Sequence, residues 1–176
     1  MSESFEFDSP DRVTFGTVGE VGQRVFVLQA RKGGNAVTLK LEKTQVGTLS
    51  RVVGRMLRGL AQPGTLPLPA LLELEAFAEP DFVVRTLRVG YDETDDRVVI
   101  ICGEADEDDD EPDEGDEPGV AASARLSLTR EQALALVIRG AELVEAGRPP
   151  CPRCGFPLDP RGHVCPRMNG NRPPLV

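Results

Sequence analysis

Two periodicities alternate along the chain. Arg12–Val18 and Gln23–Ala30 are rich in β-branched and aromatic residues, and Gly19-Glu-Val-Gly22 between them suits a hairpin loop. A second turn, Arg31-Lys-Gly-Gly-Asn35, leads into Ala36–Leu41, where Val37, Leu39 and Leu41 alternate with Thr38 and Lys40. The period then changes to that of a helix. Over about Thr44–Leu60, Val46, Leu49, Val53, Met56 and Leu57 share one face, while Arg51, Arg55 and Arg58 fall elsewhere. Gly47 and Gly54 each weaken this helix by about 1 kcal/mol relative to Ala, so packing on the sheet must sustain it. Ahead of these elements Phe5-Glu-Phe7 alternates and Ser9-Pro-Asp11 punctuates, as at the entry to a first strand.

The same order recurs in the second half. Phe82–Val89 reads as a strand, Tyr91–Asp96 as a hairpin loop, and Arg97–Cys102 as a strand apolar on both faces, which suits a central, doubly covered position. Ala121–Leu128 resumes the sheet. Thr129-Arg-Glu-Gln132 has the form of a capping box, and the helix to about Ala146 carries Ala133, Leu136, Val137, Gly140, Leu143 and Val144 on its apolar side. Setting Leu39 on Leu126 also aligns Leu41 with Leu128, Gln45 with Gln132, Leu49 with Leu136 and Met56 with Leu143. The expected fold is therefore α+β: a duplicated strand-strand-strand-helix unit forming antiparallel sheet with two packed helices. Residues 1–62 form the first unit, 63–80 a linker, 81–147 the second unit with an acidic loop at 104–119, and 148–176 a small metal-binding tail. Within the linker Ala70–Glu79 is ambiguous between a short helix and an extended edge.

Charge narrows the function classes. The chain of 176 residues carries a formal net charge of −9, which disfavours generic binding to phosphate backbones or anionic membranes. The run from Asp106 to Glu117 is too densely charged to bury, and reads as a solvated spacer rather than a cation loop. The N-terminus lacks the basic and apolar regions of a secretory signal, and no stretch nears the roughly 18 apolar residues of a membrane span. A cytoplasmic protein is expected. The glycines of residues 16–22 precede no helix and lack a dinucleotide or Gly-Lys-Ser/Thr fingerprint, so they favour a hairpin over a phosphate loop. Cys102, in the most apolar strand, reads as a small core residue rather than a nucleophile.

One stretch carries recognisable chemistry. Cys151-Pro-Arg-Cys154-Gly155 is followed by His163-Val-Cys165-Pro166. Zinc takes four tetrahedral ligands of sulfur and imidazole nitrogen, and these are three of the four cysteines and the only histidine of the chain. The two-residue spacing forms a knuckle, and His163 and Cys165, two apart on an extended segment, point to one side. The expected ligands are Cys151, Cys154, His163 and Cys165 around a structural Zn2+. Arg153, Arg161 and Arg167 are placed to offset the thiolate charge and also form a candidate basic contact surface. Nothing in the sequence supports a catalytic assignment.

The tail from Cys151 to Gly170, together with Phe15-Gly-Thr-Val-Gly19, Leu28-Gln-Ala30, Leu41–Val46 and Gly147–Cys151, resembles an actinobacterial family catalogued as a domain of unknown function. The acidic run is a departure, at a position where that family varies. The resemblance implies the same four zinc ligands and no catalytic residues. It also implies a protein partner, the concrete candidate being a ParA-like chromosome-partitioning ATPase engaged in the manner of a ParJ-type protein. The leading expectation is a non-enzymatic zinc-binding protein acting through protein contacts. Its alternatives are a nucleic-acid-associated module using the Arg-rich tail, and an enzyme linked to mycothiol metabolism.

Overall fold

The computed structural model describes residues 4–20, 23–65, 72–75, 79–104, 121–146, 151–154, 165 and 167. The elements run β1 (Ser4–Asp8), β2 (Arg12–Val18), β3 (Val25–Lys32), β4 (Asn35–Leu41), α1 (Lys43–Arg58), β5 (Phe82–Val83), β6 (Thr86–Asp92), β7 (Arg97–Gly103), β8 (Ser123–Leu128) and α2 (Arg130–Glu145). The fold class is α+β, with two four-stranded sheets ordered β2-β3-β4-β5 and β1-β8-β7-β6.

Each unit supplies an antiparallel meander, β2-β3-β4 or β6-β7-β8, followed directly by its helix. The expected antiparallel sheet is present in both meanders, and each sheet becomes mixed beyond them. Each meander gains a parallel fourth strand from the segment that precedes the other unit: β5 lies along β4, and β1 lies along β8. The two units thus exchange their leading strands. The expected single strand Phe82–Val89 is accordingly two strands in different sheets. The Val84 N–H still donates to the Lys40 carbonyl at 2.9 Å, whereas the next residue, Arg85, donates to the Gly103 carbonyl at 2.9 Å. The other crossing lies at Ser9–Asp11, where Ser9 takes a left-handed φ of 46° and its N–H donates to the Ser127 carbonyl at 2.8 Å.

Both crossings are held by the glutamine of a helix cap. The Gln132 side-chain oxygen accepts from the Thr129 N–H at 3.0 Å, while its Nε2 donates to the Pro10 carbonyl. In α1 the Gln45 oxygen accepts from the Glu42 N–H at 2.8 Å, and its Nε2 donates to the Val84 carbonyl at 3.0 Å. A capping glutamine satisfies an orphan N–H of the helix end; here the other half of the same amide satisfies a carbonyl where the chain changes sheet. The two bridges occupy corresponding places in the two units.

The helices pack against each other, α2 also on β2 and α1 on β6, so each helix crosses to the other unit's first strand. One contiguous core results, drawing Phe15, Leu28 and Leu39 from one sheet, Ile100, Leu126 and Leu128 from the other, and Val46, Val53 and Leu136 from the helices. The helices approach closely because Gly140 faces Ser50: a Cβ there would lie 2.2 Å from Ser50 Oγ and 3.0 Å from the Phe15 ring.

The outer faces of the two sheets differ. Residues 72–75 lie over the β2-β3-β4-β5 sheet, which resolves part of the ambiguous Ala70–Glu79 stretch; Ala70, Leu71 and residues 76–78 lie outside the described residues. The Leu74 side chain packs on Gly16, where any Cβ would collide with it. The Thr14 hydroxyl donates to the Leu72 carbonyl, and the Gln29 oxygen accepts from the Glu75 N–H at 3.0 Å. Glu75 in turn pairs with Arg12 and Arg31. The buried side chains of Thr14 and Gln29 are thereby satisfied. On β7 the expectation of double coverage is overturned. The strand is central, and Val98, Ile100 and Cys102 are fully buried, but Ile101 on the opposite face is 37% exposed. Among the described residues no segment plays there the part that 72–75 plays on the other sheet.

Candidate metal centre

The tail turns at Pro152–Cys154, the knuckle expected from the two-residue cysteine spacing. It brings Cys151 and Cys154 together with Cys165, and the three Sγ atoms lie within 4.8 Å of one another. Sulfurs bound at about 2.3 Å to one tetrahedral ion stand about 3.8 Å apart, so the triad fits a metal ion with little movement. Cys151 and Cys165 are buried and Cys154 is half-buried.

The knuckle backbone prepares the first sulfur. Hydrogen bonds from the Cys154 and Arg153 N–H groups, with smaller contributions from the Cys154 and Cys165 side chains, hold the Cys151 thiol down at about 6. A thiolate is the metal-binding form, so this sulfur is ready at neutral pH. The Arg167 guanidinium donates to the Arg153 carbonyl at 3.0 Å, tying the second cysteine segment to the knuckle. Arg153 and Arg167 are exposed beside the cluster. His163 and Arg161 lie outside the described residues.

Cys102 is the chemical opposite. It is buried in β7 against Leu87 and Ala124, and burial pushes its thiol up to about 12. That suits a core residue and leaves no thiolate for nucleophilic attack.

A second ionisable group was not foreseen. Asp96, at a left-handed φ of 54° in the β6–β7 turn, accepts from the Tyr91 hydroxyl at 2.5 Å and from the Arg130 Nη2 at 2.6 Å. Arg130 also donates to the Ala61 carbonyl at 2.8 Å, so the cluster joins a hairpin, the start of α2 and the chain beyond α1. The Tyr91 hydroxyl and then Arg130 lower the Asp96 carboxyl below its usual range, and Asp96 in turn raises the Tyr91 hydroxyl. Its partners are all structural anchors, so we read it as a brace. The signal for it was the Asp-Asp-Arg run of residues 95–97, which reads simply as hairpin polarity.

No helix among the described residues is long and apolar enough to cross a membrane. Searches of curated proteins and of solved structures found no match. A family model described as Protein of unknown function (DUF3090) matches residues 5–165, from β1 through the last cysteine of the cluster. The chain belongs to that family of unknown function.

Proposed function

We propose that this protein is a structural zinc protein that acts through protein contacts rather than turnover. The observation that carries the metal assignment is the convergence of Cys151, Cys154 and Cys165, with Cys151 poised as a thiolate. Three sulfurs favour zinc over hard cations that prefer oxygen. His163, two residues before Cys165, is the fourth ligand in this reading and completes a closed coordination shell. A zinc ion there would supply folding free energy to a tail too short to bury a core of its own. Arg153, Arg161 and Arg167 make this tail a basic segment in a chain of net charge −9, suited to contact with another macromolecule. Its proposed partner is a ParA-like ATPase, and its proposed setting is an actinobacterial cytoplasm.

Elemental analysis of the purified chain tests the metal: about one zinc per chain is expected, with loss in Cys154→Ser and in His163→Ala. A preparation retaining full zinc in both variants refutes the ligand set. The partner is tested by titrating the zinc-loaded chain with a purified ParA-like ATPase at moderate salt. Saturable binding supports the contact, and its absence rejects this partner. Binding to duplex DNA that falls steeply with salt would instead favour the nucleic-acid reading through Arg153, Arg161 and Arg167.

A further inference from the structure

Helix α1 contains Lys43, Arg51, Arg55 and Arg58 and no acidic residue, in a chain of net charge −9. The three arginines stand together along one side of a groove of about 490 Å³ between α1 and α2. Across from them Val137, Ala141 and Val144 form an apolar wall, with Glu145 as the carboxylate at the lining. Gly47 and Gly54 line the α1 side; a Cβ at Gly47 would make ordinary contact with the Val144 methyls, and one at Gly54 would press on Val137 at 3.3 Å.

Three further observations bear on what the groove holds. Arg51 is fixed along its own helix, its Nε donating to the Gly47 carbonyl at 3.2 Å and its Nη2 to Thr48 Oγ1 at 3.1 Å. Arg55 and Arg58 have no carboxylate partner among the described residues. Ser50 also lines the groove, but its hydroxyl oxygen is buried at the helix crossing against Gly140, so the charged lining is the three arginines and Glu145. A groove of this size lies within the range of small-molecule sites, roughly 300–1,000 Å³.

We propose that the α1–α2 groove binds a small organic phosphate monoester. The dianion is met by the guanidiniums of Arg51, Arg55 and Arg58, whose planar forks match phosphate oxygens. Its apolar substituent lies against Val137, Ala141 and Val144. Three cations facing one carboxylate favour a doubly charged head over a single carboxylate. The site shares no residue with the cysteine cluster.

Phenyl phosphate serves as the probe, titrated at low salt into the full chain as purified and followed by amide NMR shifts. Saturable shifts at Gly47, Gly54 and Ala141 are expected, with affinity falling roughly tenfold or more in Arg55→Gln/Arg58→Gln. Both arginines are exposed, so that variant should keep the fold. Gly47→Leu tests the space instead of the charge. A Cβ there meets only the Val144 methyls at 3.8 Å, so the longer side chain extends into the groove. It should weaken phenyl phosphate while leaving inorganic phosphate within about twofold. The proposal is overturned if phenyl phosphate produces no saturable shifts, if the shifts survive the double variant, or if Gly47→Leu changes nothing. Binding confined to phosphatidic acid vesicles, with none to phenyl phosphate, would overturn the soluble ligand and assign the same arginines to a lipid headgroup.

Discussion

The same substitution, glycine to alanine, should have opposite signs in the two helices. Outside any tertiary context each replacement stabilises a helix by about 1 kcal/mol. At Gly47 nothing opposes that gain, because the new Cβ would stand 3.8 and 3.9 Å from the Val144 methyls, ordinary contact distances. At Gly140 the Cβ would sit 2.2 Å from Ser50 Oγ and 3.0 and 3.2 Å from two Phe15 ring carbons. The serine oxygen is itself buried and must leave its present position to make room. The ring, 1% exposed in the centre of the core, cannot retreat without displacing its neighbours. Overpacking of this kind costs about 1–3 kcal/mol, and two simultaneous collisions place Gly140→Ala in the upper part of that range. After the helix gain is subtracted, a net loss of about 1–2 kcal/mol is expected.

Urea denaturation followed by far-ultraviolet circular dichroism measures both variants against the parent. Gly47→Ala should move the midpoint up and Gly140→Ala down, with equal slopes, a separation of about 2–3 kcal/mol. In thermal melts each kcal/mol corresponds to about 2–4 °C for a chain of this size. Adding Ser50→Ala to Gly140→Ala removes the nearest clashing atom and should recover part of the loss. Equal signs for the two glycines, or no recovery with Ser50→Ala, would refute the close crossing at Ser50 and Gly140.

Three other outcomes follow from named contacts. Gln132→Ala and Gln45→Ala should each cost about 1–2 kcal/mol, since each removes a cap hydrogen bond and leaves the carbonyl of Pro10 or Val84 unpaired; hydrogen exchange should accelerate at the first turn of the affected helix. In metal-stripped protein at neutral pH, iodoacetamide should modify Cys151, whose thiol is held at about 6, and spare Cys102, whose thiol stands at about 12, until the chain is unfolded; preferential labelling of Cys102 would contradict both environments. Asp96 has a folded-state pKa lowered chiefly by the Tyr91 hydroxyl and then by Arg130, so its contribution to stability is present above its unfolded value and is lost as pH falls through the folded one. Asp96→Asn should therefore narrow the stability difference between pH 7 and the acid range, read as denaturation midpoints; an unchanged pH dependence would show that the carboxylate is not the brace.

Much of this arrangement was legible in local pattern, and what was not depended on distance along the chain. The three-strand meanders, both helices and the Thr129–Gln132 cap came from periodicity and spacing that act within a few residues. The Cys151, Cys154 and Cys165 cluster was legible because the Cys-x-x-Cys knuckle imposes its own geometry. The parallel pairings were hidden. Ser4 lies opposite Ser123, and no residue pattern at either position specifies the other. The break in Phe82–Val89 was invisible for the same reason: both pieces have strand character, and only the two sheets they join distinguish them. The double coverage expected of Arg97–Cys102 failed because apolar residues on both faces permit burial without supplying a layer to provide it. The arginines of α1 lie off its apolar face, and only α2 set beside them forms the groove they line.

The exchange of leading strands gives the capping glutamines their significance. A unit that kept its own first strand would need only a turn at that point. Here the chain leaves one sheet at Pro10 or Val84 and enters the other within a few residues, so a carbonyl is exposed between two ladders and belongs to neither. Burying such a group without a partner is costly. A side chain that already sits at a helix N-terminus, with one end of its amide committed to the cap, presents its other end to that carbonyl at no further ordering cost. The first residue of each helix and the crossing of the opposite sheet are thus fixed by one side chain. Because Gln45 belongs to one unit and holds the strand leading into the other, while Gln132 does the reverse, neither helix start is complete until both units are present. Interdependence of the halves is built into the helix caps as well as into the sheets, and it follows that damage to either glutamine should loosen the junction between units before it loosens the core of either one.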